Sequence, residues 1–108
     1  MMKEKELQNM LNDIRQSLAA LYGERLERLI LYGSCARGQA DEGSDVDIMV
    51  VLDDYRDVGE ELKRMSEAGA ELSLKYDMTI SFFPVREFDY RTRNTPLLLN
   101  VRREGVRI

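Results

Sequence analysis

Few features narrow the folds open to this chain as much as the short apolar run DVDIMVVL, Asp45 to Leu52, which carries acids at its first and third positions. A run this brief, set between polar stretches, reads as a buried strand rather than a helix. Side chains alternate faces along a strand, so Asp45 and Asp47 point the same way with Cα atoms about 6.6 Å apart, while Val46, Ile48 and Val50 take the opposite face. Two carboxylates that close repel and raise each other's pKa unless a cation sits between them. The pair at the end of an otherwise apolar strand therefore asks for a metal.

The rest of the chain supplies what such a strand needs around it. LERLILYG, Leu26 to Gly33, is a second short apolar segment bounded by glycine and reads as a buried strand. Leu7, Met10, Leu11, Ile14, Leu18 and Leu21 recur at helical spacing, predicting an amphipathic helix over about residues 4–22 that ends near Gly23. Leu62, Met65, Ala68 and Leu72 predict another from Asp57 to about Tyr76, with Asp57 and Glu60 spaced as a capping box. YDMTISFFPV reads as a third strand opened by Asp77 and broken by Pro84. A short polar helix near Arg86 to Arg93 follows, then a turn at Asn94 to Pro96, a helix from Leu97 to Glu104 stopped by Gly105, and an edge strand over Val106 to Ile108. The order implies an α+β fold, a small mixed sheet with helices packed on it. Leu97, Leu98, Leu99 and Val101 exceed what one helix face needs, which leaves both core and partner surface open for part of that group.

Length and composition set outer limits. At 108 residues and 44% hydrophobic content, residues 1–108 are expected to form a single domain. A net charge of −4 with 33% charged residues suits a well-solvated globule and argues against broad nucleic-acid or anionic-membrane binding. There is no apolar run of about 18 residues and no signal-peptide pattern, so a cytoplasmic protein is expected. Histidine is absent and Cys35 is the one cysteine. Chemistry here must run on carboxylates, hydroxyls, Arg or Lys, or a hard metal.

Oxygen-only ligands suit magnesium or manganese, and magnesium commonly takes one or two carboxylates and completes its shell with water and substrate phosphate. A phosphate site is expected nearby. Gly33 and Ser34 lie at the end of the preceding strand, where backbone N–H groups and a hydroxyl could face an anion, and Arg37 adds a positive charge on the same loop. Asp77 is a third acid able to reach the same cleft if its strand neighbours the second.

Gly33-Ser34, ten intervening residues and then Asp45-Val46-Asp47, within GSCARGQADEGSDVDIMV, resemble the nucleotidyltransferase superfamily that includes DNA polymerase beta and kanamycin nucleotidyltransferase. The similarity is closer to its minimal (MNT) branch, the MntA-like antitoxins of HEPN/MNT toxin-antitoxin pairs, and runs through the closing NVRREGVRI. The resemblance implies that Gly33 and Ser34 hold the β- and γ-phosphates of a nucleotide and that Asp45 and Asp47 bind two Mg2+ ions. It makes Asp77 the third metal-site carboxylate, orienting or deprotonating the attacking hydroxyl. It further implies transfer of AMP from ATP to a tyrosine of a cognate HEPN ribonuclease, in a hetero-oligomer, while the acidic net charge argues against direct nucleic-acid binding. Two other readings remain: an antitoxin that occludes its HEPN partner without catalysis, and a transferase acting on a small molecule or an RNA end.

Overall fold

The computed structural model describes residues 4–33, 36 and 45–108. Helix α1 (Glu4–Tyr22) runs into a 3-10 turn (Gly23–Arg25) and then strand β1 (Leu26–Tyr32). Strand β2 (Asp45–Leu52), helix α2 (Val58–Tyr76) and strand β3 (Thr79–Arg86) follow, then helices α3 (Glu87–Thr92) and α4 (Pro96–Glu104) and strand β4 (Val106–Arg107). The strands form one sheet in the order β3-β2-β1-β4, antiparallel except for the parallel pair of β2 and β3 that α2 connects. The expected mixed sheet covered by helices is the fold found.

Strand alternation divides the core between the two sheet faces. Val46, Ile48, Val50 and Leu52 of β2 pack with Leu29, Leu31 and Ile80 against Met10, Ile14 and Leu18 of α1 and Met65 and Leu72 of α2. On the opposite face Met49 and Val51 meet Ile30, Val85, Leu98 and Val101. Leu98 and Val101, three residues apart, are the buried stripe of α4, while Leu97 and Leu99 stay partly exposed on its flanks. At the end of α1, Leu21 is turned outward and Tyr22 is buried instead, its hydroxyl donating to the buried carboxylate of Glu61 at 2.8 Å.

Three local readings change. Asp57 does cap α2, but its side chain accepts from the N–H of Gly59. Pro84 does not break β3, which continues to Arg86. Because β3 is an edge strand, the missing N–H at Pro84 removes no ladder bond, and its carbonyl accepts instead from the Tyr55 hydroxyl at 3.2 Å. Asp77 lies outside β3, as described below. Gly105 does end α4, for a steric reason: a Cβ there would stand 2.5 Å from Ile30 Cγ2 and from the Val101 carbonyl oxygen. Glycine lets β4 close against β1. No helix among the described residues is long and apolar enough to cross a membrane.

Candidate active site

The register of the sheet builds the site. Tyr32 pairs with Asp47 across the antiparallel β1–β2 ladder, and Asp47 pairs with Ser81 across the parallel β2–β3 ladder. Paired residues share a face, so Tyr32, Asp47 and Ser81 form a row across three strands. Asp45, paired with Thr79, stands one step outward at the exposed end of β2. The two acids are thus on one face and at one end, as the alternation requires. They share that face with Met49 and Val51, so α4 closes the cluster behind them.

Burial and mutual repulsion set the electrostatics of the pair. Partial burial, and then the charge of Asp45, push the Asp47 carboxyl above the usual carboxylate range. Burial, and then the Asp47 charge, raise the Tyr32 phenol as well. Gly33 follows Tyr32 with φ +78, a left-handed conformation that favours glycine. A Cβ at this position would lie 2.8 Å from Asp47 Oδ2. The carboxylate therefore rests directly over the glycine, and the bare Cα is a condition of its position. Two hard oxygen donors on one face, one of them partly desolvated, fit a magnesium-type ion that takes its remaining ligands from water and phosphate.

Asp77 is placed differently from the sequence reading. It does not open the third strand but caps the C-terminus of α2, with φ 52 and ψ 45 and its backbone N–H bonded to the Ser73 carbonyl. Helix α2 persists through Tyr76 and needs a left-handed residue to leave its axis, a conformation that Asp tolerates better than most residues. Since β2 and β3 run parallel, this cap lies at the same end of the sheet as Asp45. Among the described residues no three acids, cysteines or histidines gather into a metal-holding group, so Asp77 is not drawn into a cluster with Asp45 and Asp47. Ser34 and Arg37, with the rest of the expected turn apart from Ala36, lie outside the described residues.

Sequence reasoning missed Tyr32 and Ser81. Tyr32 was legible in part, as the aromatic immediately before the glycine, on the alternation of Ile30. Ser81 was not, because nothing local fixes the register of β3 on β2.

Residues 11–97 match the family described as nucleotidyltransferase domain, and the chain belongs to that family. It is an enzyme of the nucleotidyltransferase class. Among its relatives is MJ0141 of Methanocaldococcus jannaschii, provisionally named a protein adenylyltransferase, which is 34% identical over 76 residues, covering 70% of this chain and 76% of that protein. The fold is similar to that of a provisionally assigned minimal nucleotidyltransferase, with TM-score 0.68 at 22% identity over 99% of this chain and 97% of the other. It is also similar to the structure of a tri-AMPylated Shewanella oneidensis HEPN toxin in complex with MNT antitoxin, with TM-score 0.63 at 22% identity, covering 93% of this chain and 69% of the matched one.

Proposed function

We propose that this protein is a magnesium-dependent adenylyltransferase that moves AMP from ATP to a hydroxyl, specifically a tyrosine of a cognate HEPN ribonuclease, and thereby acts as the antitoxin of a hetero-oligomeric pair in the cytoplasm. The observation that carries the reading is the same-face pair Asp45 and Asp47 at the open end of β2, with the Asp47 carboxylate lying over Gly33. Residues 1–108 would act as one minimal catalytic domain. The names of the relative MJ0141 and of the HEPN-bound neighbour support the choice of AMP and of acceptor.

In this reading the acceptor oxygen attacks the α-phosphorus of ATP, the bond from that phosphorus to the bridging oxygen breaks, and pyrophosphate leaves. Asp45 and Asp47 would hold two Mg2+ ions. Magnesium, when bound, supplies neutralisation of the phosphate charge and stabilisation of the departing pyrophosphate. Gly33 and Ser34 cradle the β- and γ-phosphates, and Arg37 adds a cation to that loop. Asp77, at the same end of the sheet, orients the acceptor hydroxyl or takes its proton, a role supported by its placement beside the start of β3. The added phosphodiester would bring charge and bulk to a surface that must bind RNA phosphates, which accounts for inhibition.

The test is to mix the protein with Mg-ATP and the product of the adjacent gene, the proposed HEPN partner, and to weigh that product by intact-protein mass spectrometry. An AMP-sized increase that disappears with Asp45→Asn and Asp47→Asn is the expected result. A stable complex with no change in mass would reject catalysis and leave occlusion.

A further inference from the structure

On the face that carries the acids, a groove begins at Phe83 and runs along β3 toward Arg86, away from the acid pair. Odd-numbered residues of β3 share the face of the acids: Asp47 pairs with Ser81, Met49 with Phe83 and Val51 with Val85. Val85 is buried beneath α4, but Phe83 is 44% exposed, an aromatic ring left open on the functional face. It lines a 250 Å3 groove together with Tyr55, Val58 and Leu97 and the charged residues Arg86, Asp89 and Arg93. Val58 and Leu97 are themselves exposed, and they give the groove apolar walls beside its charged residues. Phe83 lies one strand over and two residues along from Asp47, about 8 Å between Cα atoms by sheet geometry. A single nucleotide can bridge that span from phosphate to base.

Building on the nucleotidyl-transfer reading, we propose that this groove takes the base of the substrate nucleotide, stacked on Phe83 and walled by Leu97, while its phosphates lie at Gly33 and the acid pair. A planar base has a π face to set against the ring, and stacking of this kind tolerates differences in the base edge. The groove therefore binds the base through shape and stacking more than through hydrogen-bond readout. Phe83 is a positioning residue: by holding the base it sets where the α-phosphorus lies relative to Asp47.

Calorimetry with two probes, Mg-ATP and Mg-tripolyphosphate, tests this because the second carries the phosphates without the base. The unmodified protein should prefer Mg-ATP, and Phe83→Ala should weaken Mg-ATP about tenfold while leaving Mg-tripolyphosphate unchanged. Phe83→Trp, which keeps a stacking face, should retain the preference and controls for loss of fold. Equal binding of the two probes by the unmodified protein, or an unchanged preference in Phe83→Ala, would overturn the proposal while leaving the phosphate site standing. If Phe83→Ala lowers transfer to the acceptor but not Mg-ATP binding, the groove holds the acceptor and the proposal is wrong. Binding of neither probe would overturn both this proposal and the reading it rests on.

Discussion

Asp47 concentrates the tension of the site in one side chain. Its carboxyl is raised by burial and by Asp45, so between the ordinary carboxylate value, about 3.9, and its raised value the folded state binds more protons than the unfolded state. Stability without metal should fall as pH rises through that window, with the full cost present above it. Metal-free Asp47→Asn is accordingly expected to melt higher than the unmodified protein at pH 7, with the difference closing below about pH 3. Thermal denaturation across pH 3 to 8 measures this, and an Asn variant that melts lower at neutral pH would contradict it. Gly33 tests the other side of the same contact. Gly33→Ala forces a side chain into the left-handed region and against Asp47 Oδ2, at an expected cost of about 1–2 kcal/mol by urea denaturation. It should also disturb Mg-ATP binding by displacing the carboxylate. Asp45 and Asp47 were legible as a pair because alternation along one strand is a local rule. The contact between Asp47 and Gly33 was not, because it depends on how β1 and β2 meet.

The elements around this row hold one another by a few specific ties. Arg28 of β1 makes a two-pronged interaction with Glu87 at the start of α3, with Nη2 2.7 Å from Oε1, and its guanidinium also lies over the Tyr90 ring. This anchors the α3–α4 unit on the face that carries the acids. The bond to Arg28 holds the Glu87 carboxyl below its usual range, so its contribution is present above the ordinary value of about 4.3 and is lost as pH falls through the lowered one. Glu87→Gln should cost about 1–2 kcal/mol at pH 7, with a difference that narrows in acid. Denaturant melts of both proteins at pH 7 and pH 3 would check this, and a constant difference would count against the ion pair as its source. Helix spans came through from the sequence because periodicity and caps are local, as with α2 between Asp57 and Asp77. Pro84 shows the opposite case. Its effect depends on whether β3 is central or at an edge, and no sequence window contains that fact.

At the scale of the molecule, ligand binding and folding are coupled. A ligand at about 100 times its Kd adds roughly 2.7 kcal/mol to the folded state. For a domain near this size that is a rise of about 10 °C or more in Tm. Mg-ATP should raise the melting temperature of the unmodified protein by this amount, and the double variant Asp45→Asn, Asp47→Asn should lose the gain while remaining folded. A rise retained in the double variant would remove the acids from the nucleotide site. The sequence by itself determined the helix and strand segments, the α+β class, the shared face of Asp45 and Asp47 and the absence of histidine chemistry, since each follows from period, spacing or composition. Tertiary structure alone decided the parallel register that sets Ser81 beside Asp47 and Phe83 one step beyond, the helix-cap position of Asp77 and the edge position of β3. The reason is physical: alternation and helical periodicity act over a few bonds, whereas register and neighbour order come from side chains far apart in the chain competing to fill the same two cores.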